Sequence, residues 1–101
     1  MAHRVAYRPT ARLDLKEIYD WIAERADPAT ADAYVQRLLD ACDRLSVFPA
    51  RGSPRDELEP GLRSIPLSGR ATAYYRVEGR IVRIVRILRP GRDPAREFSP
   101  G

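Results

Sequence analysis

Five arginines lie within one apolar stretch near the C-terminus or at the ends of its predicted strands. They are Arg63, Arg70, Arg76, Arg83 and Arg86. A guanidinium group stays charged and presents planar donors that match carboxylates and phosphates. An arginine in phase with apolar residues on a strand usually pairs with a buried acid or extends its charged end to solvent. As a set, the five predict a surface that binds an acidic partner.

Catalysis needs groups that exchange protons near neutral pH, and the chain has few of them. His3 is the only histidine, and it stands at the start of the first predicted strand. Arginine is too basic to shuttle protons. Two carboxylate pairs at i, i+3 spacing are predicted to lie on solvated helix faces: Asp14 with Glu17, and Asp40 with Asp43. We therefore predict no catalytic residue, no metal site and no cofactor.

Hydrophobic periodicity predicts the elements that position these residues. A short strand covers residues 3–8 and is followed by an amphipathic helix over residues 9–26. Asp27 and Pro28 have the residue types of an N-cap and first helical position, and predict a second helix over 28–48. A loop of about a dozen residues comes next. Three strands are then predicted at residues 62–67, 70–77 and 80–89, followed by a short tail at residues 92–101.

The element order β-α-α-β-β-β predicts an α+β fold in a single domain of residues 1–101. An antiparallel sheet of about four strands is expected, covered on one face by the N-terminal helical hairpin. The last strand is apolar on both faces, with Val82, Ile84 and Leu88 on one and Val85 and Ile87 on the other. It should therefore be central, with something other than the hairpin on the second face.

Charge and cysteine usage narrow the cellular context. Residues 1–59 carry a net charge of −2 and residues 60–101 a net charge of +6, which directs a positive field toward an acidic partner. Cys42 is the only cysteine and lies on the apolar stripe of the second helix, so we expect a buried thiol and a cytoplasmic location. We expect no membrane span and no signal peptide, because no apolar run is long enough.

Three segments, read together, identify a family resemblance that covers about residues 4–95. They are RPTARLDLKEIYDWIAE, YVQRLLDACDRLSVFPARG and GLRSIPLSGRATAYYRVEGRIVRIVRILRPGRDP. In combination they resemble the RelE/ParE superfamily of bacterial toxins, on the ParE side. The chain departs from that pattern at residues 88–91, where Leu-Arg-Pro-Gly replaces the Leu-His-Gly of many relatives.

The resemblance implies the toxin of a type II toxin–antitoxin pair, neutralised by a ParD-like antitoxin. ParE-like members poison DNA gyrase by protein–protein contact, and RelE-like members cut mRNA in the ribosomal A site. The His/Tyr pair of related ribosome-dependent nucleases is missing from the tail, which favours gyrase. The alternatives are a RelE-like mRNA interferase and an inactive homologue that only binds its antitoxin. Direct nucleic-acid binding is not expected except through the antitoxin complex.

The residues expected to contact the antitoxin or the target are five arginines and two aromatic residues. Trp21 lies beside the main stripe of the first helix, where half-buried packing competes with a role as an antitoxin anchor. Tyr74 and Tyr75 should send one ring to each face of the sheet. The candidate contact residues are Trp21, Arg63, Arg70, Tyr74, Arg76, Arg86 and Arg89.

Overall fold

The computed structural model describes residues 3–99 and contains three helices and a five-stranded sheet. Residues 1–2 of the predicted domain and residues 100–101 of the predicted tail lie outside the described residues. The elements are β1 (Arg4–Tyr7), α1 (Pro9–Arg25), α2 (Pro28–Asp43), β2 (Ser53–Pro54), β3 (Arg63–Pro66), β4 (Thr72–Glu78), β5 (Ile81–Leu88) and α3 (Pro94–Glu97). Short 3₁₀ turns occupy Arg44–Ser46, Pro49–Arg51 and Ser68–Arg70.

The two long helices begin where their sequence signals place them. Pro9 and Pro28 each stand at a first helical position, where the missing N–H costs no hydrogen bond. Asp27 caps α2 by accepting the backbone N–H of Thr30 at 2.7 Å, and this hydrogen bond lowers the pKa of the Asp27 carboxyl. The helices pack as the predicted hairpin.

α2 ends at Asp43, earlier than the predicted residue 48. Leu45 continues the apolar stripe into the following 3₁₀ turn and is fully buried, but Val47 and Phe48 point outward and are 62% and 67% exposed. The residue before a proline avoids helical geometry, and Phe48, which precedes Pro49, has φ −126° and ψ 73°. The expectation that Phe48 extends the buried stripe is therefore wrong.

The sheet has the order β1-β5-β4-β3-β2 and holds one strand more than expected. The additional strand is β2, a two-residue pairing with β3 inside the predicted loop. β1 runs parallel to β5, whereas the prediction was an antiparallel sheet. β1 and β5 are joined through α1, α2 and the other three strands, a connection long enough for the crossover that parallel strands require. The other three pairings are antiparallel.

A β-bulge in β5 changes which side chains share a face. Tyr74 pairs with Arg86 and Tyr75 pairs with Ile84, so Val85 is the extra residue. Ile87 consequently joins Val82 and Ile84 in the helix-side core, while Leu88 joins Val85 on the opposite face. The predicted assignment of Ile87 and Leu88 to faces is therefore wrong, because strict alternation does not survive a bulge.

Both faces of the sheet are covered, as the two-sided apolarity of β5 predicted. The hairpin covers one face over a core that includes Ile18, Leu38 and Tyr75. The opposite face carries a smaller cluster of Leu62, Tyr74, Val85 and Leu88, against which Leu58 and Phe98 pack. No helix within residues 3–99 combines the length and hydrophobicity needed to cross a membrane.

Candidate protein-binding surfaces

Arg86 forms the most buried ionic network that the structure describes. Its Nε and Nη2 donate to the two carboxylate oxygens of Asp14 at 2.7 and 2.8 Å, and Nη2 also donates to Glu97 at 2.9 Å. The hydrogen bonds to Asp14 raise the pKa of Arg86 further above its usual range. Because two carboxylates of the same fold neutralise this guanidinium, it is poorly available to an acidic partner.

Asp14 does not lie on a solvated helix face, so that expectation is wrong. It is only 8% exposed and also accepts the backbone N–H of Ile87 at 2.9 Å. β1 pairs with β5 only as far as Ile84, so the edge of β5 beyond that point is open. Side chains of α1 hydrogen-bond the free backbone groups at this edge: Asp14 accepts from Ile87, and Thr10 donates to the Val85 carbonyl at 2.8 Å. Helical periodicity alone does not reveal such a long-range partner.

Two other arginines on the face opposite the hairpin also meet carboxylates. Arg76 forms an ion pair with Glu59, and Arg83 donates to Glu78 at 2.7 Å. The hydrogen bond from Arg83 lowers the pKa of the Glu78 carboxyl. The positive charge of residues 60–101 is thus partly neutralised within the fold.

Three of the predicted contact residues have packing or turn roles. Arg63 donates to the carbonyls of Gly52 at 2.7 Å and Ala50 at 3.2 Å and so holds the loop after α2. Tyr74 is 5% exposed and its ring lies 5.3 Å from that of Phe98, while the Tyr75 ring faces the hairpin. Arg70 is exposed in the turn before β4, with a φ of +70°.

Trp21 and Arg89 are the two predicted residues that meet on the surface. The Trp21 ring is flanked by the guanidinium groups of Arg25, 4.6 Å from its centroid, and Arg89, 4.9 Å from its centroid. Glu17 lies 3.6 Å from Arg89 and pairs with Arg92. Trp21, Glu17, Arg89 and Arg92 border a cleft of about 410 Å³. Its lining also includes Leu13, a leucine that is 65% exposed. We call it the Trp21 cleft.

The Trp21 cleft combines features of protein-binding hot spots. Tryptophan and arginine are the residue types most often found there, and a ring stacked on guanidinium groups loses little freedom on binding. Acidic Glu17, Asp20 and Glu24 line the same cleft, so it offers both signs of charge to a partner. This combination of an aromatic ring and charged groups suits the recognition of a side chain.

Sequence reasoning missed a second surface around Phe48. The exposed side chains of Val47 and Phe48 stand beside two shallow cavities of about 350 and 240 Å³. We define the Phe48 patch by its lining residues: Arg44, Val47, Phe48, Pro49, Ala50 and Arg51. The Phe-Pro pair directly after the helix was the available signal, because proline removes the preceding residue from the helical stripe.

The thiol of Cys42 and the possible metal-ligating side chains are the remaining groups that could do chemistry. Cys42 is fully buried, and burial raises the pKa of its thiol to about 11, so it is a poor nucleophile. Within residues 3–99, no group of three or more His, Cys, Asp or Glu side chains is arranged to hold a metal ion.

Comparison with known proteins places the chain in a family. The model of "ParE toxin of type II toxin-antitoxin system, parDE" matches residues 5–94. Toxin ParE3 of Caulobacter vibrioides is 33% identical over 88 residues, which are 87% of this chain and 86% of that protein. This agreement spans the hairpin and the sheet.

Two solved structures share the fold. A chain of the chromosomal ParDE toxin–antitoxin system from P. aeruginosa superposes with a TM-score of 0.77 at 28% identity, covering 87% of this chain and 96% of that one. A chain of the RelBE2 toxin–antitoxin complex from Mycobacterium tuberculosis matches with a TM-score of 0.55 at 21% identity, covering 88% and 99%. The second likeness supports the fold alone. The chain belongs to the ParE family of toxins from type II toxin–antitoxin systems, within the RelE/ParE superfamily.

Proposed function

We propose that this ParE-family toxin inhibits DNA gyrase by protein–protein contact in the cytoplasm and is neutralised by a ParD-like antitoxin. The family model and the P. aeruginosa structure both carry the parDE designation, which supports a ParD-like partner. Gyrase is the target that the resemblance to ParE-like toxins implies.

The ion pairs of the sheet arginines are the observation that favours gyrase over RNA as the target. Arg76, Arg83 and Arg86 each contact a carboxylate, and Arg86 contacts two. A nuclease without a proton-transfer group needs cations free to stabilise the charge that develops on the phosphate. Cations already neutralised by carboxylates provide little of that stabilisation, so inhibition by contact fits this surface better than cleavage.

The Trp21 cleft is the surface that we assign to the antitoxin. An antitoxin segment that inserts an apolar side chain against Trp21 and Leu13 displaces water from a large exposed area. Carboxylates of the same segment can compete with Glu17 for Arg89 and Arg92, and a basic residue can pair with Asp20 or Glu24. Such complementary charges set the orientation of the bound segment.

Three assays on the purified toxin test the target. We expect inhibition of gyrase supercoiling, induction of a DNA-damage reporter on expression, and intact mRNA when the toxin is incubated with translating ribosomes. As the control, the protein encoded by the adjacent reading frame is premixed with the toxin in the supercoiling assay and co-expressed with it in the reporter assay. Both effects of the toxin should then disappear.

Each part of the proposal has its own contradicting result. Cleavage of A-site mRNA with normal supercoiling would replace gyrase by the ribosome. Normal growth on expression without the antitoxin would make the chain an inactive homologue. Failure of the adjacent gene product to bind the toxin would remove the ParD-like partner and leave the gyrase result standing.

A further inference from the structure

The Phe48 patch exposes apolar area that the fold does not require. Val47 and Phe48 are 62% and 67% exposed and lie next to each other, whereas Leu45 just before them is fully buried. The two cavities beside these side chains are lined by the patch residues alone, with only Arg44 and Arg51 bearing charged groups. Adjacent large apolar side chains with a concave surface beside them are typical of an interaction site.

Buried Tyr75 and half-buried Arg63 hold the backbone beneath the patch. The Tyr75 hydroxyl accepts the N–H of Gly52 at 2.9 Å and donates to the Pro49 carbonyl at 2.8 Å. Arg63 adds hydrogen bonds to the carbonyls of Gly52 and Ala50. Any side chain at position 52 would place its Cβ 2.5 Å from the Tyr75 hydroxyl, so the turn is tightly packed.

This anchoring makes the patch preorganised. The side-chain hydrogen bonds that hold the turn come from Tyr75 and Arg63, whereas the Phe48 ring is 67% exposed and belongs to neither core cluster. A binding surface already ordered in the free protein loses less conformational entropy when a partner docks. A rigid support beneath an exposed aromatic side chain thus favours recognition.

The charge at the rim specifies the partner. Arg44 and Arg51 border the cavities, and in the part of the chain from residue 3 to residue 99 neither forms an ion pair. The sheet arginines Arg76, Arg83 and Arg86, in contrast, all contact carboxylates. Two unpaired guanidinium groups around an apolar centre match a segment with apolar anchors and flanking carboxylates.

We propose that the Phe48 patch binds an acidic, amphipathic segment of the antitoxin, with an apolar side chain in each of its two cavities. This inference rests on the proposed antitoxin partner. It is independent of the Trp21 cleft, because Trp21 is near the α1–α2 turn and Val47 lies beyond the other end of α2. At 1.5 Å per residue the 16 residues of α2 span about 24 Å, so one segment must run along the hairpin to reach both surfaces.

Equilibrium binding to the protein encoded by the adjacent reading frame tests the proposal. We expect the double variant Val47→Ser/Phe48→Ser to bind this antitoxin about 30-fold more weakly or worse, the loss typical of removing two central contacts. Arg44→Glu/Arg51→Glu should slow association about tenfold at low salt. Because all four side chains are exposed, the urea midpoints should stay close to that of the wild type.

Matched controls and competing occupants make the test decisive. Val77→Ser removes another exposed valine and Arg80→Glu another exposed arginine outside the patch, and both should bind within about twofold of the wild type. Equal affinity of Val47→Ser/Phe48→Ser and the wild type overturns the inference and leaves the proposed function intact. The inference is also overturned if the variant abolishes self-association or gyrase inhibition with antitoxin affinity unchanged. A wild-type toxin that fails to bind the antitoxin overturns this inference together with the antitoxin part of the proposed function.

Discussion

Asp14 and Arg86, separated by 72 positions in the chain, form a two-pronged ion pair at 2.7 and 2.8 Å. The same carboxylate accepts the N–H of Ile87. One side chain of α1 therefore neutralises the Arg86 guanidinium and also hydrogen-bonds a backbone N–H at the open edge of β5. Arg86 in turn reaches Glu97 on α3. This pair therefore joins the hairpin, the sheet and the C-terminal helix.

Replacing Asp14 by Asn should destabilise the fold by about 3 kcal/mol, the lower end of the cost of breaking a buried pair. The amide keeps one acceptor for Ile87 but loses the charge that faces Arg86, and Glu97 retains part of the compensation. Urea unfolding followed by circular dichroism measures the change. Asp20→Asn, which breaks the exposed pair with Lys16, is the control and should cost about 0.5 kcal/mol or less. Equal effects of the two variants would refute a structural role for the Asp14 network.

Replacing Tyr75 by Phe should cost about 1–3 kcal/mol, because the Gly52 N–H and the Pro49 carbonyl lose a buried partner. Hydrogen exchange at the Gly52 amide should become faster in the same variant. Tyr19→Phe, at a half-buried tyrosine of α1, is the comparison and should leave Gly52 protection unchanged. Unaltered Gly52 exchange in Tyr75→Phe would show that the hydroxyl does not hold the turn.

Trp21→Ala should weaken antitoxin binding about tenfold or more while changing stability little, because the half-buried ring packs mainly against Arg25 and Arg89. Trp21 is the only tryptophan, so its fluorescence reports binding in the wild type directly. Titration with the antitoxin should shift the emission toward shorter wavelengths as the ring is buried. A titration that binds without any change in Trp21 emission would exclude the cleft from the interface.

Stability should fall as pH rises from about 9 to about 11. The Cys42 thiol has an ordinary pKa near 9, and burial raises the folded value to about 11. Over this window the unfolded state loses a proton that the native state keeps, which favours unfolding by about 1–3 kcal/mol. Buried tyrosines act in the same direction at still higher pH.

Cys42→Ala isolates the thiol in this pH dependence. The variant starts less stable because of the lost volume, but its stability should decrease less steeply between pH 9 and 11. Denaturant unfolding at several pH values measures both slopes. In the native wild type at pH 8, alkylation of Cys42 should be far slower than in urea, and rapid native alkylation would contradict a buried thiol.

Short-range sequence patterns were enough to predict most of the helices and strands. The apolar spacing of α1 and α2 and the Asp27 cap involve residues a few positions apart, so they act before tertiary contacts form. The β2 pairing could not be predicted in this way, because two residues carry no period and Pro54 is atypical of a strand.

The surfaces were less predictable than the fold. Trp21 and Arg89 were both proposed as contacts, yet only the packing of α1 beside the end of β5 brings them together. The roles of Asp14 and Phe48 were misjudged because helical periodicity assigns a face without revealing a distant partner or a broken helix. For Arg63, Tyr74 and Arg86 the internal contacts in the fold account for most of each side chain.

The amino-acid sequence by itself determined the two amphipathic helices, the three main strands and the family, because these depend on residue types at short, regular spacing. Tertiary structure alone decided the parallel pairing of β1, the bulge at Val85 and the neutralisation of the sheet arginines. Each depends on groups far apart in the chain, whose distance is set only when helices and sheet pack. The positive charge of residues 60–101 was readable as composition, but which guanidinium groups stay open to a partner was settled by the carboxylates that the fold brings beside them.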